Sequence, residues 1–142
     1  MDIQAPLQPK GYAVEYLSVE ANQAFRPSGK KVKTQLRFGM SPKLMQKRGT
    51  NQYMLRIEVG FNEKPEDFKV APYRIVIKLA TFFELDPDVP EAQRKQLLSL
   101  NLISIAYGIA RGVVSQVTAQ GPHGKFLLPA VNLVEILKQF KK

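Results

Sequence analysis

The 142 residues include no cysteine and a single histidine. Without thiols there is no disulfide framework, no thiolate zinc site and no cysteine nucleophile. That absence fits a reducing compartment, and many exported bacterial domains share it. A second absence is local. Between Glu20 and Glu58 there is no carboxylate, yet this stretch carries nine cations: Arg26, Lys30, Lys31, Lys33, Arg37, Lys43, Lys47, Arg48 and Arg56. The rest of the chain holds twelve charges of each sign, so the formal charge of +9 belongs to one segment. Such an excess bears on solubility and electrostatic partners, not on fold. The N-terminal MDIQAPLQPKGY has neither a basic n-region nor an apolar core, so no signal peptide is read there and a cytoplasmic location is expected.

What is present suits one globular domain over residues 1–142. A hydrophobic content of 44% and ten scattered prolines argue against general disorder. Residues 1–11 contain two prolines and no periodicity, and are expected to form a loose arm. Tyr12–Glu20 is rich in aromatic and β-branched residues and reads as a strand. Lys31–Phe38 alternates strictly, with Val32, Thr34, Leu36 and Phe38 on one face and Lys31, Lys33, Gln35 and Arg37 on the other. This is the period of a half-buried strand. Residues 41–51 read as a basic loop. Gln52–Phe61 alternates again, with Tyr53, Leu55, Ile57 and Val59 inward. Ala71–Phe83 is the most apolar strand. Four such strands, over residues 12–83, favour one antiparallel sheet with a covered and a wet face.

An acidic, proline-marked junction at residues 86–91 then leads to a helical part over residues 89–140, with Asp88 before Pro90 resembling a helix start. A long helix is expected over Leu97–Val117. Asn101, Ser104, Gly108, Arg111 and Ser115 form a narrow polar or small stripe on it, and the rest of its circumference is mostly apolar. Such a helix needs cover on more than one side. Gly108 and Gly112 leave a groove for close approach, either by another helix or by the sheet. The length would suit a membrane span, but Asn101, Gln116, three serines and a central Arg111 make insertion costly, and no span is expected. Residues 121–124 break the helix. A second, shorter helix follows over Val131–Phe140, with Leu133, Val134, Leu137 and Phe140 as its apolar face. The fold class is α+β: a four-stranded antiparallel sheet, then one long and one short helix packed on it.

Chemistry-bearing motifs are sparse. His123 has no Cys beside it and no nearby acidic cluster, and reads as a solvent-exposed turn residue. Glu84, Asp86, Asp88 and Glu91 lack the glycine and terminal glutamate of a calcium loop. No phosphate-binding or dinucleotide motif occurs, so neither catalysis nor a cofactor is expected. The basic segment raises a different function. Lys31, Lys33 and Arg37 share a strand face, and Lys43, Lys47 and Arg48 extend it, which would suit phosphates, with Tyr53 or Phe38 to stack on bases. Phe38 also shares the apolar face with Val32 and Leu36, and no RNP-like motif is present. A basic nucleic-acid-binding α+β module and a solvated sheet face both stand at this point.

Two segments discriminate further. Ile105-Ala106-Tyr107-Gly108-Ile109-Ala110-Arg111-Gly112 lies in the long helix, and Phe126-Leu127-Leu128-Pro129-Ala130-Val131-Asn132 precedes the short one. Their order and spacing, together with the element order, resemble the SecB family of protein-export chaperones over roughly Tyr12 to Phe140. The resemblance implies an ATP-independent holdase for unfolded or precursor polypeptide, and a homo-tetramer built as a dimer of dimers with the long helices packed between dimers. The interface would then run over Ser104, Ile105, Gly108, Ile109 and Gly112. By position, Phe126, Leu127, Leu128, Leu133 and Leu137 would line the client groove. Family members that hand clients to the SecA motor are acidic on the exposed sheet face. Here that face carries Lys31, Lys33, Arg37, Arg56, Arg74 and Lys78 against Glu15 and Glu58. This departure puts a SecA handover in doubt and makes room for a role linked to a toxin–antitoxin pair.

Overall fold

A computed structural model describes residues 3–27, 35–40 and 44–140. The elements are β1 (Leu7–Ala21), β2 (Leu36–Met40), β3 (Met45–Gln46), β4 (Gln52–Phe61), α1 (Pro65–Phe68), β5 (Tyr73–Leu85), α2 (Glu91–Gln96), a π-helical turn (Leu97–Asn101), α3 (Leu102–Thr118) and α4 (Leu133–Phe140). The sheet runs β1-β5-β4-β2, with β3 on the same edge of β4 as β2, and every pairing is antiparallel. The chain is thus the α+β fold expected, with a long helix over one sheet face.

The alternation read in the sequence sets the faces. Tyr53, Leu55, Ile57 and Val59 of β4 are buried with Tyr73, Ile75, Ile77 and Leu79 of β5. Leu36, Phe38 and Met40 pack against this core from β2. Lys31, Val32, Lys33, Thr34 and Lys43 lie outside the described residues.

Several boundaries differ from the expected ones. Residues 7–11, expected in a loose arm, belong to β1, where Leu7 is buried opposite Leu85. An edge strand tolerates Pro9 because only one side of its backbone must bond. Irregular register between Pro9 and Gly11, and again between Val14 and Tyr16, inserts Lys10 and Glu15 as extra residues. The expected loop over residues 41–51 contains β3, whose hairpin to β4 turns through Gly49 at φ 74°.

The long helix begins earlier than Leu97 and runs without a break from Glu91 to Thr118. Its π-helical turn contains Ser99, whose hydroxyl donates to the carbonyl of Lys95 at 2.8 Å, a back-bond of the kind that bends helices. The extra residue resets the phase. Leu97 is buried, then Leu102 and Ile103, then Ala106, Tyr107, Ala110 and Val114 at helical spacing. Asn101, which ordinary spacing would carry further inward, stays exposed.

Candidate functional site

Between α3 and α4 the chain turns over residues 119–123 and then runs to residue 132 without a strand partner, so side chains hold much of its backbone. Tyr73 on β5 donates its hydroxyl to the Gly124 carbonyl at 2.8 Å and accepts the His123 N–H at 3.1 Å. Thr118, at the end of α3, accepts the Phe126 N–H at 2.8 Å. Arg111 Nε donates to the Leu128 carbonyl at 2.9 Å, and the Tyr107 hydroxyl donates to the carbonyl of Pro129. Tyr107 and Arg111 are four apart and share one helix face. The motif residues therefore form a latch: each of the two holds a consecutive carbonyl of the Leu128-Pro129 pair. Gly121 opens the connection without a side chain because a Cβ there would lie 2.6 Å from the Tyr73 hydroxyl.

His123 is not the free turn residue expected. Its Nε2 donates to the Asn22 carbonyl at 2.7 Å, and its ring meets Phe25 and Tyr73 edge-on at 5.3 and 5.7 Å. It ties the connection to the end of β1.

Burial pushes the Tyr107 phenol up from its ordinary 10.0 to about 12, although the neighbouring Arg111 guanidinium pulls it down. Below pH 10 the phenol is neutral in folded and unfolded chains alike. As pH rises from 10 toward 12 the unfolded chain ionises first, so folding stability falls across that window. Tyr107→Phe is expected to flatten this alkaline loss and to cost about 0.5–1.5 kcal/mol at neutral pH through the lost hydrogen bond. Urea midpoints of both proteins at neutral pH and at about pH 11 measure the difference.

Of the five residues placed in the client groove, the structure puts four on a partly open surface. Phe126 is half-buried, its ring 4.8 Å from Phe61 and 6.3 Å from Tyr73. Leu127 turns outward and is 60% exposed, whereas Leu128 is fully buried in the core. Leu133 and Leu137 of α4 are half-buried against the core. The inward face of α4 differs from the expected one. Ile136 is buried, and Val134, expected inward, is 52% exposed. Spacing of three and four from Leu133 picks out Ile136 and Leu137, a signal available in the sequence.

Ser104, Gly108 and Gly112 are exposed, with Ile105 and Ile109 half-buried, on the side of α3 away from the sheet. No atom lies within 4 Å of a Cβ added at Gly108 or Gly112. The glycines therefore do not serve a close helix–sheet contact. The expected polar stripe divides: Asn101, Ser104 and Gly108 stay outside, while Ser115 is buried and Arg111 reaches the connection.

The opposite sheet face, expected to be basic, is charge-balanced over its described residues. Arg37 bonds Glu63 twice at 2.8 Å and Glu58 at 3.1 Å, Arg56 meets Glu15 at 2.9 Å, Arg74 meets Glu20, and Lys78 lies 3.7 Å from Glu58. The Arg37 guanidinium holds the Glu63 carboxyl below its usual range. Glu20 and Glu63 supply the carboxylates that the sequence reading left off this face. Lys47 and Arg48 stay exposed in the hairpin beyond β3.

No family model and no curated protein matches the chain. Solved structures do. A SecB-like chaperone, Rv1957 of Mycobacterium tuberculosis, determined in complex with a ChAD peptide from the Rv1956 HigA1 antitoxin, superposes with a TM-score of 0.58 at 12% identity, covering 89% of this chain and 88% of that one. A Streptococcus agalactiae protein of unknown function has a TM-score of 0.40 at 10% identity, with coverage of 87% and 97%. The fold of the present chain is thus SecB-like.

Proposed function

We propose that this protein is a SecB-like, ATP-independent holdase that binds unfolded or extended polypeptide on the connection and on α4. The observation that carries the reading is Leu127, 60% exposed on a segment whose backbone is held by Tyr73, Thr118, Arg111 and Tyr107. Beside it in the chain stands the half-buried Phe126, and α4 carries the half-buried Leu133 and Leu137. An apolar surface presented by a pinned backbone suits weakly structured clients, since the ordering cost then falls on the client alone. The fold neighbour bound to an antitoxin peptide supports a polypeptide ligand, and with it a role tied to a toxin–antitoxin pair. A handover to a SecA-type motor is disfavoured because Glu15, Glu20, Glu58 and Glu63 are each already paired with a cation.

The same reading includes a homo-oligomer, a dimer of dimers, working in the cytosol. Tyr12 and Val14 are 53% and 40% exposed on the helix-covered side of β1, and α3 presents its uncovered small-residue face. Both surfaces call for the second cover that an apolar helix needs. Nucleic acid is the weaker reading, since Arg37, Arg56, Arg74 and Lys78 are neutralised in place.

Light scattering of an aggregating client tests the proposal. Suppression at stoichiometric protein is expected, with a native mass above that of the monomer. No suppression from a monomeric protein overturns it.

A further inference from the structure

On the outer sheet face, away from α3, ion pairs join Arg37, Arg56, Arg74 and Lys78 to carboxylates, Tyr16 stands 50% exposed beside Lys78, and one end carries no ion pair among the described residues. There Phe82 of β5, Met54 of β4 and Met45 of β3 stand in register across three strands. They floor a cleft of about 420 Å³, rimmed by Lys10, Lys47 and Glu84. Phe82 and Met45 are 41% and 46% exposed. Gly11, paired with Phe82, adds no side chain to cover it. The Arg56–Glu15 ion pair stands on the strands next to this row, where Arg56 pairs across from Ala80.

Three observations define what would fit. The volume lies in the range of sites that enclose a drug-sized group, which corresponds to a few side chains and not to a folded domain. Methionines give an adaptable floor, which tolerates different apolar side chains. Among the described residues β3 is bonded on one edge only, so an extended chain could add main-chain hydrogen bonds there while lowering a side chain into the cleft. The rim decides the charge. Lys10 at one sheet edge and Lys47 at the other make no ion pair among the described residues, and Glu84 is the single carboxylate between them.

We propose that this cleft is a second polypeptide subsite, taking an apolar side chain of an extended acidic segment whose carboxylates pair with Lys10 and Lys47. It lies on the face opposite α3 and the proposed client surface. It rests on the reading of the protein as a polypeptide binder, and adds a charge preference set by Lys10 and Lys47.

Fluorescence polarisation with two labelled peptides tests it on the full chain. Both carry a central phenylalanine; one is flanked by aspartate and glutamate, the other by lysine. Binding of the acidic peptide is expected to be roughly tenfold tighter at low salt, as for two exposed ion pairs. Reversing both exposed rim charges, Lys10→Glu with Lys47→Glu, should invert the preference. Phe82→Ala should weaken both peptides, with a thermal melt showing that the fold persists. Equal affinity for the two peptides, or a preference unchanged by the charge reversal, overturns the assignment. Binding of dodecanoate with neither peptide bound overturns it in favour of an acyl anion. In each of these cases the holdase reading still stands or falls by its own light-scattering test.

Discussion

Leu128→Ala is expected to lower the unfolding free energy by about 2–5 kcal/mol, while Leu127→Ala changes it by about 0.5 kcal/mol or less. The two residues are neighbours in an extended segment, so their side chains point to opposite sides. Leu128 is 0% exposed and Leu127 60%. Arg111 and Tyr107 hold the carbonyls of Leu128 and Pro129, so the segment has little freedom to swing and fill the space that Leu128 vacates. The cavity should therefore persist, which puts the cost toward the upper part of the range. Urea denaturation at constant slope measures both changes. Aggregation assays should order the variants the other way. Leu127→Ala raises the protein needed for suppression at unchanged stability, and replacement by aspartate raises it further. If both alanine variants lost stability equally, the connection would have no inner and outer side, and Leu127 would lose its place in the proposed client surface.

The second large effect is expected at the outward glycines of α3. In the isolated chain an added side chain at Gly108 or Gly112 meets open space. Alanine there should then stabilise the helix by about 1 kcal/mol for each site through propensity alone. Glutamate is equally harmless to the fold, since the position is exposed. In the proposed assembly the same face is where helices approach, and a buried, unpaired carboxylate there costs several kcal/mol. Gly112→Glu is thus expected to halve the native mass while leaving the melting transition of the protomer intact. Sedimentation or native mass spectrometry reads this directly. An unchanged oligomer carrying the variant would remove α3 from the interface, and Tyr12 and Val14 of β1 would be the next surface to alter.

How far these features could be read in advance varies with their physical origin. The inward residues of β4 were legible because a strand face depends only on alternation along the chain. The edge strand β1 was not legible over residues 7–11. Its prolines and irregular register erase the period, and only Leu7 opposite Leu85 shows that the segment is anchored. On α4 apolar pairs flank Glu135 on both sides, which obscures the spacing that separates the outward Val134 from the inward Ile136. The π-helical turn of the long helix contains Ser99, whose hydroxyl bonds the carbonyl of Lys95, a contact that no hydropathy pattern records.

The candidate site divides in the same way. Tyr107, Arg111 and the Leu127-Leu128-Pro129 run stood out as a motif, yet their joint role as a latch is visible only in space, because its bonds span 17 and 22 residues. The cleft floored by Phe82, Met54 and Met45 left no trace in the sequence at all, since that floor is assembled by strand register.

The sequence by itself determined which side of β4 is apolar and that a largely apolar helix with a stripe of small residues follows the sheet. These follow from local backbone period. The tertiary structure alone decided that the +9 charge is not a uniformly basic sheet, because Glu15, Glu20, Glu58 and Glu63 reach Arg56, Arg74, Arg37 and Lys78 across strands. Only the tertiary structure, too, separated Leu127 from Leu128 as surface from core. Ion pairing and burial are properties of register and packing between segments far apart in the chain, and a one-dimensional pattern does not carry them.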